Sequence, residues 1–409
     1  MKRSVCIIAL ALCMCFVAVL PGFAVVRPEE DVLVELSEKT LQTVTLELQQ
    51  KAFDSILSAT YFTTDFYSIL AEDSKAVYNA LKNISPTNPS VNIVLMDDAR
   101  YYYYDIGNNA DVAVSHAGDV IYYAFAAYLL DNPSFFWSEG LDVQFSLEGV
   151  HYSSSVGAWY CKLASATLTP KISSIYNGKI VSLYNQLLSA VDSVPIQNGT
   201  RYQILMQIYS YLADSVTYDL YATYAHEPVG SLLYGRAVCE GYAEAFKLLC
   251  DRFNIPCICI VGDAGGAHMW NAVQMDDGVF YLVDVTWGDT EVKGNINENY
   301  FLVGENTVCN SGKPSETFGS THYPNGNILG HYTLPHPKFA RQAYARVAGD
   351  VDGDHLVDIT DLALLAQYVA GWSVPIRRVS AEVTGDAAIG VEDLACLAQY
   401  IAGWGDVMS

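Results

Sequence analysis

The C-terminal end of this chain repeats itself. LALLAQYVAGW from Leu362 returns as LACLAQYIAGW from Leu394, an offset of 32 residues. The text ahead of the first copy, DVDGDHLVDITD, sets carboxylates at Asp350, Asp352, Asp354, Asp358 and Asp361. These are the first, third, fifth, ninth and twelfth places of a loop wrapped round a hard cation, with the carbonyl of Leu356 offered from the seventh. Each loop leads straight into an apolar helix, so the arrangement is half of an EF-hand without its preceding helix. The second loop, EVTGDAAIGVED, keeps Glu382, Thr384, Asp386 and Asp393 but has Gly390 at the ninth place. Five carboxylates against three predict tighter calcium binding at the first loop, because ligand charge tunes affinity.

Upstream, Cys239, His268 and Asp284 follow one another on elements suited to a thiol nucleophile, its base and the carboxylate that orients the base. Cys239 opens VCEGYAEAFKLLCDRF, where Tyr242, Phe246, Leu248 and Leu249 recur at roughly helical spacing and no proline comes before Pro256. The thiol thus stands at a helix start, where the dipole and free N–H groups favour an anion. HMWNAVQM and VFYLVDVTW read as strands joined through Asp276, Asp277 and Gly278. A three-residue loop with Gly278 left-handed pairs Met275 with Val279 and Trp270 with Asp284, and so places His268 and Asp284 on one face. A two-residue loop would put them on opposite faces. Taken singly, each residue has a plainer reading: Cys239 as core, His268 as a satisfied strand-start group, Asp284 as the cap of a turn. Together they favour chemistry.

The flanking text sharpens this. GRAVCEGYAEAFKLLC, the strand IPCICIVG, then HMWNAVQ and YLVDVTWGD resemble the transglutaminase-like superfamily over roughly Thr200 to Leu334. That family is similar to papain in its core, and the resemblance implies a Cys239, His268, Asp284 triad in which the thiol attacks an acyl carbon. The backbone N–H of Cys239 would form part of an oxyanion site. Papain-like enzymes carry a glutamine six residues before the cysteine; here Leu233 stands there, leaving Tyr234 or a more distant donor. The C-terminal repeat resembles the type I dockerin over Gly349 to about Trp404, with His355 where the sixth loop residue is usually glycine. That implies structural calcium, with no cofactor for catalysis, and a cohesin of a scaffoldin as partner. The contact residues are carried over to Ile359 and Thr360 in the first loop and Val391 and Glu392 in the second. Because those pairs differ, a single docking orientation is expected.

Lys2, Arg3, the apolar run Val5 to Leu20 and the small residues up to Ala24 read as a secretory signal. The run is too short for a comfortable spanning helix, so no membrane anchor is expected. With the signal gone, Cys161, Cys239, Cys250, Cys257, Cys259, Cys309 and Cys396 remain; sequence does not pair them, and burial is expected for Cys257, Cys259 and Cys396. A formal charge of −23 without basic stripes excludes nucleic acid as a partner. From Gly349 onward ten acidic residues face only Arg377 and Arg378, which fits cation binding.

The expected architecture is α+β. A signal peptide (1–24) precedes an α/β accessory N-terminal domain (25–195), a papain-like transglutaminase core with a Cys-bearing helix on an antiparallel sheet (196–345), and a small all-α calcium-binding dockerin (346–409). Glu29 to about Leu57 and Asp119 to Asp131 read as helices. Tyr101 to Tyr104 read as a strand that alternates between core and surface, with sugar stacking the less favoured alternative. Only a short join, with Pro335, Pro337 and the basic stretch Lys338 to Arg346, precedes the repeat, so its reach is limited. The function expected is a secreted cysteine hydrolase of amide bonds in a cell-surface cellulosome, acting on a protein or peptide. An acyl transferase or a silent binding component are the alternatives.

Overall fold

The computed structural model describes residues 64–404 apart from a few positions inside that span. The expected signal sequence over 1–24 and the expected helix over Glu29–Leu57 lie outside the described residues. The chain forms two compact units: 1–186 with 325–337, and 187–324 with 338–409.

The first unit packs two helices with an antiparallel sheet. Helix α1 (Glu72–Leu81) and helix α2 (Asn109–Asp131) accompany strands β1 (Val91–Val94), β2 (Tyr102–Tyr104), β3 (Ser138–Ser153) and β4 (Ala158–Ile172). β4 lies between β1 and β2 and also pairs with the long β3. α2 starts well before Asp119 because Ala110, Ala113, Val114 and Ala117 continue its buried face. It stops ahead of Pro133, and Asp131 at its end accepts the backbone N–H groups of Phe66 and Tyr67. Along β2, Tyr103 is buried while Tyr102 and Tyr104 lie half-buried beside Tyr160, the alternation a pleated strand imposes.

In the second unit, α3 (Arg201–Ser215) begins with a capping box in which Thr200 and Gln203 satisfy each other's backbone N–H groups. Helix α4 (Cys239–Arg252) is buried on most of its circumference. It packs on the antiparallel sheet made by β5 (Cys257–Asp263), β6 (Ala267–Gln274), β7 (Phe280–Val283) and the short edge strand β8 (Tyr323–Pro324), in the order β8-β5-β6-β7. Gly241 is required in the first turn of α4: a Cβ there would meet the Ala225 carbonyl at 2.7 Å and the Glu227 carbonyl at 2.9 Å. Asn271 on β6 ties helix to sheet by donating to the Ala243 carbonyl at 3.0 Å. The unit is therefore a mixed α+β core with the cysteine-bearing helix against an antiparallel sheet.

The repeat folds as two helices, α5 (Ile359–Val369) and α6 (Val391–Ile401), over a small core of Val351, Leu365, Ile376, Ala381 and Leu397. It sits against the start of α3. Thr200 donates its hydroxyl to the Asp352 carbonyl. Arg377, almost wholly buried, bonds the Asp350 carboxylate at 3.0 Å and the Tyr344 carbonyl at 2.8 Å. Its guanidinium lies over both the Tyr202 and Tyr344 rings, 5.2 and 4.9 Å from their centroids. Gly353 is left-handed with φ of 79°, and a Cβ there would strike the Tyr202 side chain at 2.6 Å. The loop turns tightly at its fourth position, where both copies have a left-handed glycine, Gly353 and Gly385.

Candidate active site and cation-binding loops

Cys239 is the first residue of α4, directly after the extended Val238. Its side chain is buried, with 2 % of the residue exposed. The β6–β7 hairpin turns through Asp276, Asp277 and Gly278: Met275 and Val279 bond at 3.0 Å, and Gly278 has φ of 78°. Asn271 therefore faces Val283, and the same register carries Trp270 to Asp284. The three-residue loop is the one that puts His268 and Asp284 on one face, and their side chains meet, Nε2 to Oδ2 at 2.8 Å.

The Cys239 thiol lies near enough to the His268 imidazole to influence its protonation. Because Nε2 is taken by Asp284, Nδ1 is left for the thiol. Burial by itself would lower the imidazole, but the charge of Asp284, the bond to it and the neighbouring Cys239 outweigh burial and raise His268 to about 10. Burial would raise Asp284; the charge of His268 and the bonds from His268 and His322 instead hold its carboxyl well below the usual range. The capping role also holds: Asp284 Oδ1 accepts the Trp287 N–H at 3.1 Å and starts the single helical turn Val285–Gly288.

His322 is the residue that sequence reading missed. Its Nε2 lies 3.1 Å from the same Asp284 Oδ2, and Nδ1 lies 2.9 Å from Thr321 Oγ1. The ring stacks on Phe318 with centroids 3.8 Å apart, and the Trp287 ring lies 4.6 Å away. In the sequence it is a lone histidine ahead of Tyr323 and Pro324, with no periodicity or spacing to tie it to Asp284. The ligand-type atoms of His268, Asp284 and His322 fall within 4.8 Å of one another. Hydrogen bonding accounts for this closeness: an ionised carboxylate only accepts, so both Nε2 atoms carry protons aimed at it.

Tyr234 ends a π-helical turn, Gly230–Tyr234, just before the cysteine helix. Its ring lies 5.6 Å from that of Tyr224 and is largely exposed, so nothing fixes its hydroxyl near Cys239. Among the described residues no cysteine forms a disulfide; Cys257 and Cys259 are buried, whereas Cys396 is only half-buried because it lies on a partly open face of α6.

In the first loop, Asp350, Asp352 and Asp361 are buried and bring carboxylate oxygens within 4.8 Å of one another. Burial first, then the charges of Asp361, Asp354 and Asp350, pushes Asp352 up to about 6. Asp361 also closes the loop by accepting the N–H groups of Val351, Asp352 and Asp358. Asp354 and Asp358 stand outside that gathering and accept the N–H groups of Leu356 and Thr360. Asp393 holds the second loop in the same way, through Val383, Thr384 and Gly390. There, however, Glu382 turns its carboxylate onto the N–H of Asp386, and Thr384 and Asp386 are exposed. An all-oxygen, acid-rich set fits a hard divalent cation such as calcium, and the first loop is the better gathered of the two. Leu356, Ile359, Thr360, Val391 and Glu392 are exposed.

Comparison with known proteins agrees with this architecture. Residues 192–285 match the transglutaminase-like superfamily and residues 348–402 match the type I dockerin domain. The chain thus carries a transglutaminase-like core followed by a type I dockerin module. No curated protein matches it in sequence. Similar solved structures include one described as a TGase, at 17 % identity over 38 % of this chain and 46 % of that one, with a TM-score of 0.23. Another is assigned as a cysteine protease from Cytophaga hutchinsonii, at 15 % identity over 39 % of this chain and 66 % of that one, also with a TM-score of 0.23. The match thus spans less than half of the TGase. Among the described residues no helix is long and apolar enough to cross a membrane.

Proposed function

We propose that this chain is a secreted cysteine hydrolase of amide bonds, a peptidase, fastened by its dockerin to a cohesin of a scaffoldin in an extracellular complex that degrades plant polysaccharide. The observation that carries the catalytic part is the 2.8 Å bond between His268 Nε2 and Asp284 Oδ2 on the hairpin, with Cys239 at the head of α4 near the same imidazole. Cys239 forms a bond to the acyl carbon of the amide, and the amine departs with a proton from His268, leaving a thioester. Water then adds with His268 as base, the C–S bond breaks, and the acid is released with the thiol restored. Asp284 keeps the imidazole in one tautomer, and the N–H of Cys239, at the head of α4, serves the developing oxyanion.

For the tail, the oxygen-rich first loop supports calcium at Asp350, Asp352, Asp354, Asp358 and Asp361 with the Leu356 carbonyl. A weaker second site uses Glu382, Thr384, Asp386 and Asp393. The exposed Ile359, Thr360, Val391 and Glu392 support a cohesin contact made by the module while it rests on the core. Iodoacetamide labelling of the calcium-loaded protein tests the catalytic reading, with Cys239→Ala and His268→Ala as controls. Fast labelling at Cys239 that vanishes with His268 is expected; equal, slow labelling of all thiols refutes it, and the deep burial of Cys239 makes this a stringent test. Peptide fragments then mark hydrolysis, whereas incorporation of an amine probe marks acyl transfer. Charge reversal, Glu392→Lys, is expected to weaken cohesin binding or change its orientation; unchanged binding removes the second loop from the interface.

A further inference from the structure

Asp284 is held by two imidazoles, and the reaction needs only one. We propose that His322 is a positioning residue for Cys239 chemistry: its Nε2–H anchors Asp284 so that the carboxylate keeps His268 aimed at the thiol. This rests on the reading of Cys239, His268 and Asp284 as the reacting group.

The terminal torsion of an aspartate is broad and roughly two-fold, so a carboxylate with one imidazole partner can swing. Here each oxygen is committed. Oδ1 accepts the Trp287 N–H at 3.1 Å, and Oδ2 accepts His268 at 2.8 Å and His322 at 3.1 Å. The His322 ring cannot easily turn away, being stacked on Phe318 and flanked by Trp287. Asp284 sets its tautomer, since the ionised carboxylate only accepts and so keeps the ring proton on Nε2, while Nδ1 rests 2.9 Å from Thr321 Oγ1, whose hydroxyl also reaches the Phe318 carbonyl at 3.0 Å. An apolar side chain would fill the same space, but it would leave Oδ2 with a single donor. Burial makes that loss costly, because His322 and Asp284 are both shut away from water that might replace it. The other titratable groups whose charges meet this pair are the Tyr209 hydroxyl and the Cys309 thiol, both kept neutral by burial first and by Asp284 next.

The test compares His322→Phe, which keeps a stacking ring without a donor, with His322→Gln, whose amide nitrogen can replace Nε2–H. Nitrogen-15 NMR follows the titration of His268, and iodoacetamide reports the alkylation rate of Cys239 at neutral pH. The phenylalanine variant is expected to titrate His268 at lower pH and to slow alkylation roughly ten- to hundredfold. Glutamine should recover most of both. A folded phenylalanine variant with unchanged titration and unchanged labelling overturns the proposal, as does glutamine behaving like phenylalanine. One measurement needs no variant: at neutral pH the wild-type His322 ring must carry its proton on Nε2, and a bare Nε2 overturns the proposal even if the variants fail to fold. Selective labelling of wild-type Cys239 tests the underlying catalytic reading separately, and the His268 titration reports coupling through Asp284 whatever that result.

Discussion

Replacing Arg377 with methionine should destabilise the second unit strongly without calcium and mildly with it. The side chains of Arg377 and Asp350 are 2 % and 0 % exposed and 3.0 Å apart. Removing one partner of such a pair costs about 3–5 kcal/mol, because the remaining charge stays buried and unpaired. Calcium bound in the first loop would supply a replacement cation to Asp350. What is then lost is the Tyr344 hydrogen bond and the contact with two tyrosine rings, together about 1–2 kcal/mol after methionine refills part of the space. For a cooperative unit of this size, 1 kcal/mol moves Tm by about 2–4 °C. The variant should therefore lie roughly 6–20 °C below wild type in EDTA and only a few degrees below it in calcium. Calorimetry of both proteins in both conditions measures this, with each variant compared with wild type in the same buffer so that calcium's own stabilisation cancels. Equal losses in EDTA and calcium would refute the idea that Asp350 exchanges one cation for another.

Stability should depend on pH through His268. Its folded value near 10 lies above the ordinary 6.5, so its contribution is complete below about pH 6.5 and is lost as the pH rises from there through about 10. Asp284, lowered, contributes fully above the ordinary carboxylate range and loses that contribution as the pH falls through its folded value. Urea unfolding of His268→Ala should be flatter than wild type between pH 6.5 and 10. Glu244 shares the sign of His268 and opposes that of Asp284: burial and then the charges of Glu240 and Glu227 raise it well above 4.5, and its Oε2 is buried without a hydrogen-bond partner. Unfolding releases a proton there above that value, so Glu244→Gln should gain on wild type as the pH rises above the ordinary carboxylate range, measured by the same unfolding curves. Leu397→Ala removes a fully buried side chain from the core shared by α5 and α6. It should cost about 2–5 kcal/mol, seen as loss of the calcium-dependent melting transition, while labelling of Cys239 persists.

How much could be read beforehand depended on whether the determining contact was local. The hairpin was legible because a three-residue turn ending in Gly278 fixes register, and register alone carries His268 to Asp284. The loops were legible because their carboxylates alternate within one short segment ahead of an apolar repeat. Arg377 looked in the sequence like stray positive charge beside an acidic tail. Its role depends on Tyr202 and Tyr344, which reach it only once the module rests on the start of α3. The left-handed turn at Gly353, where the backbone crosses Tyr202, went unread because the sixth place, His355, drew the attention in the sequence. His322 was illegible for the same reason as Arg377: 38 residues separate it from Asp284, and strand β8 alone brings it back beside β5.

Asp284 shows why the two readings of one residue need not compete. As a cap it holds the Trp287 N–H with Oδ1, and this fixes the carboxylate plane at the end of β7. With that plane fixed, Oδ2 is presented at a defined angle to both His268 and His322. The cap is therefore part of the aim: a carboxylate that did not start a helical turn would have a freer torsion, and the imidazole facing Cys239 would inherit that freedom. Asp284→Asn separates the two effects, since its carbonyl oxygen can still accept from Trp287 while its amide cannot accept from two imidazoles. Its unfolding free energy should fall by more than the roughly 1 kcal/mol of a lost cap, and labelling of Cys239 should slow in step with the fall in the pH at which His268 titrates. If labelling stayed fast while that titration fell, Asp284 would support the fold and leave the thiol to His268 alone.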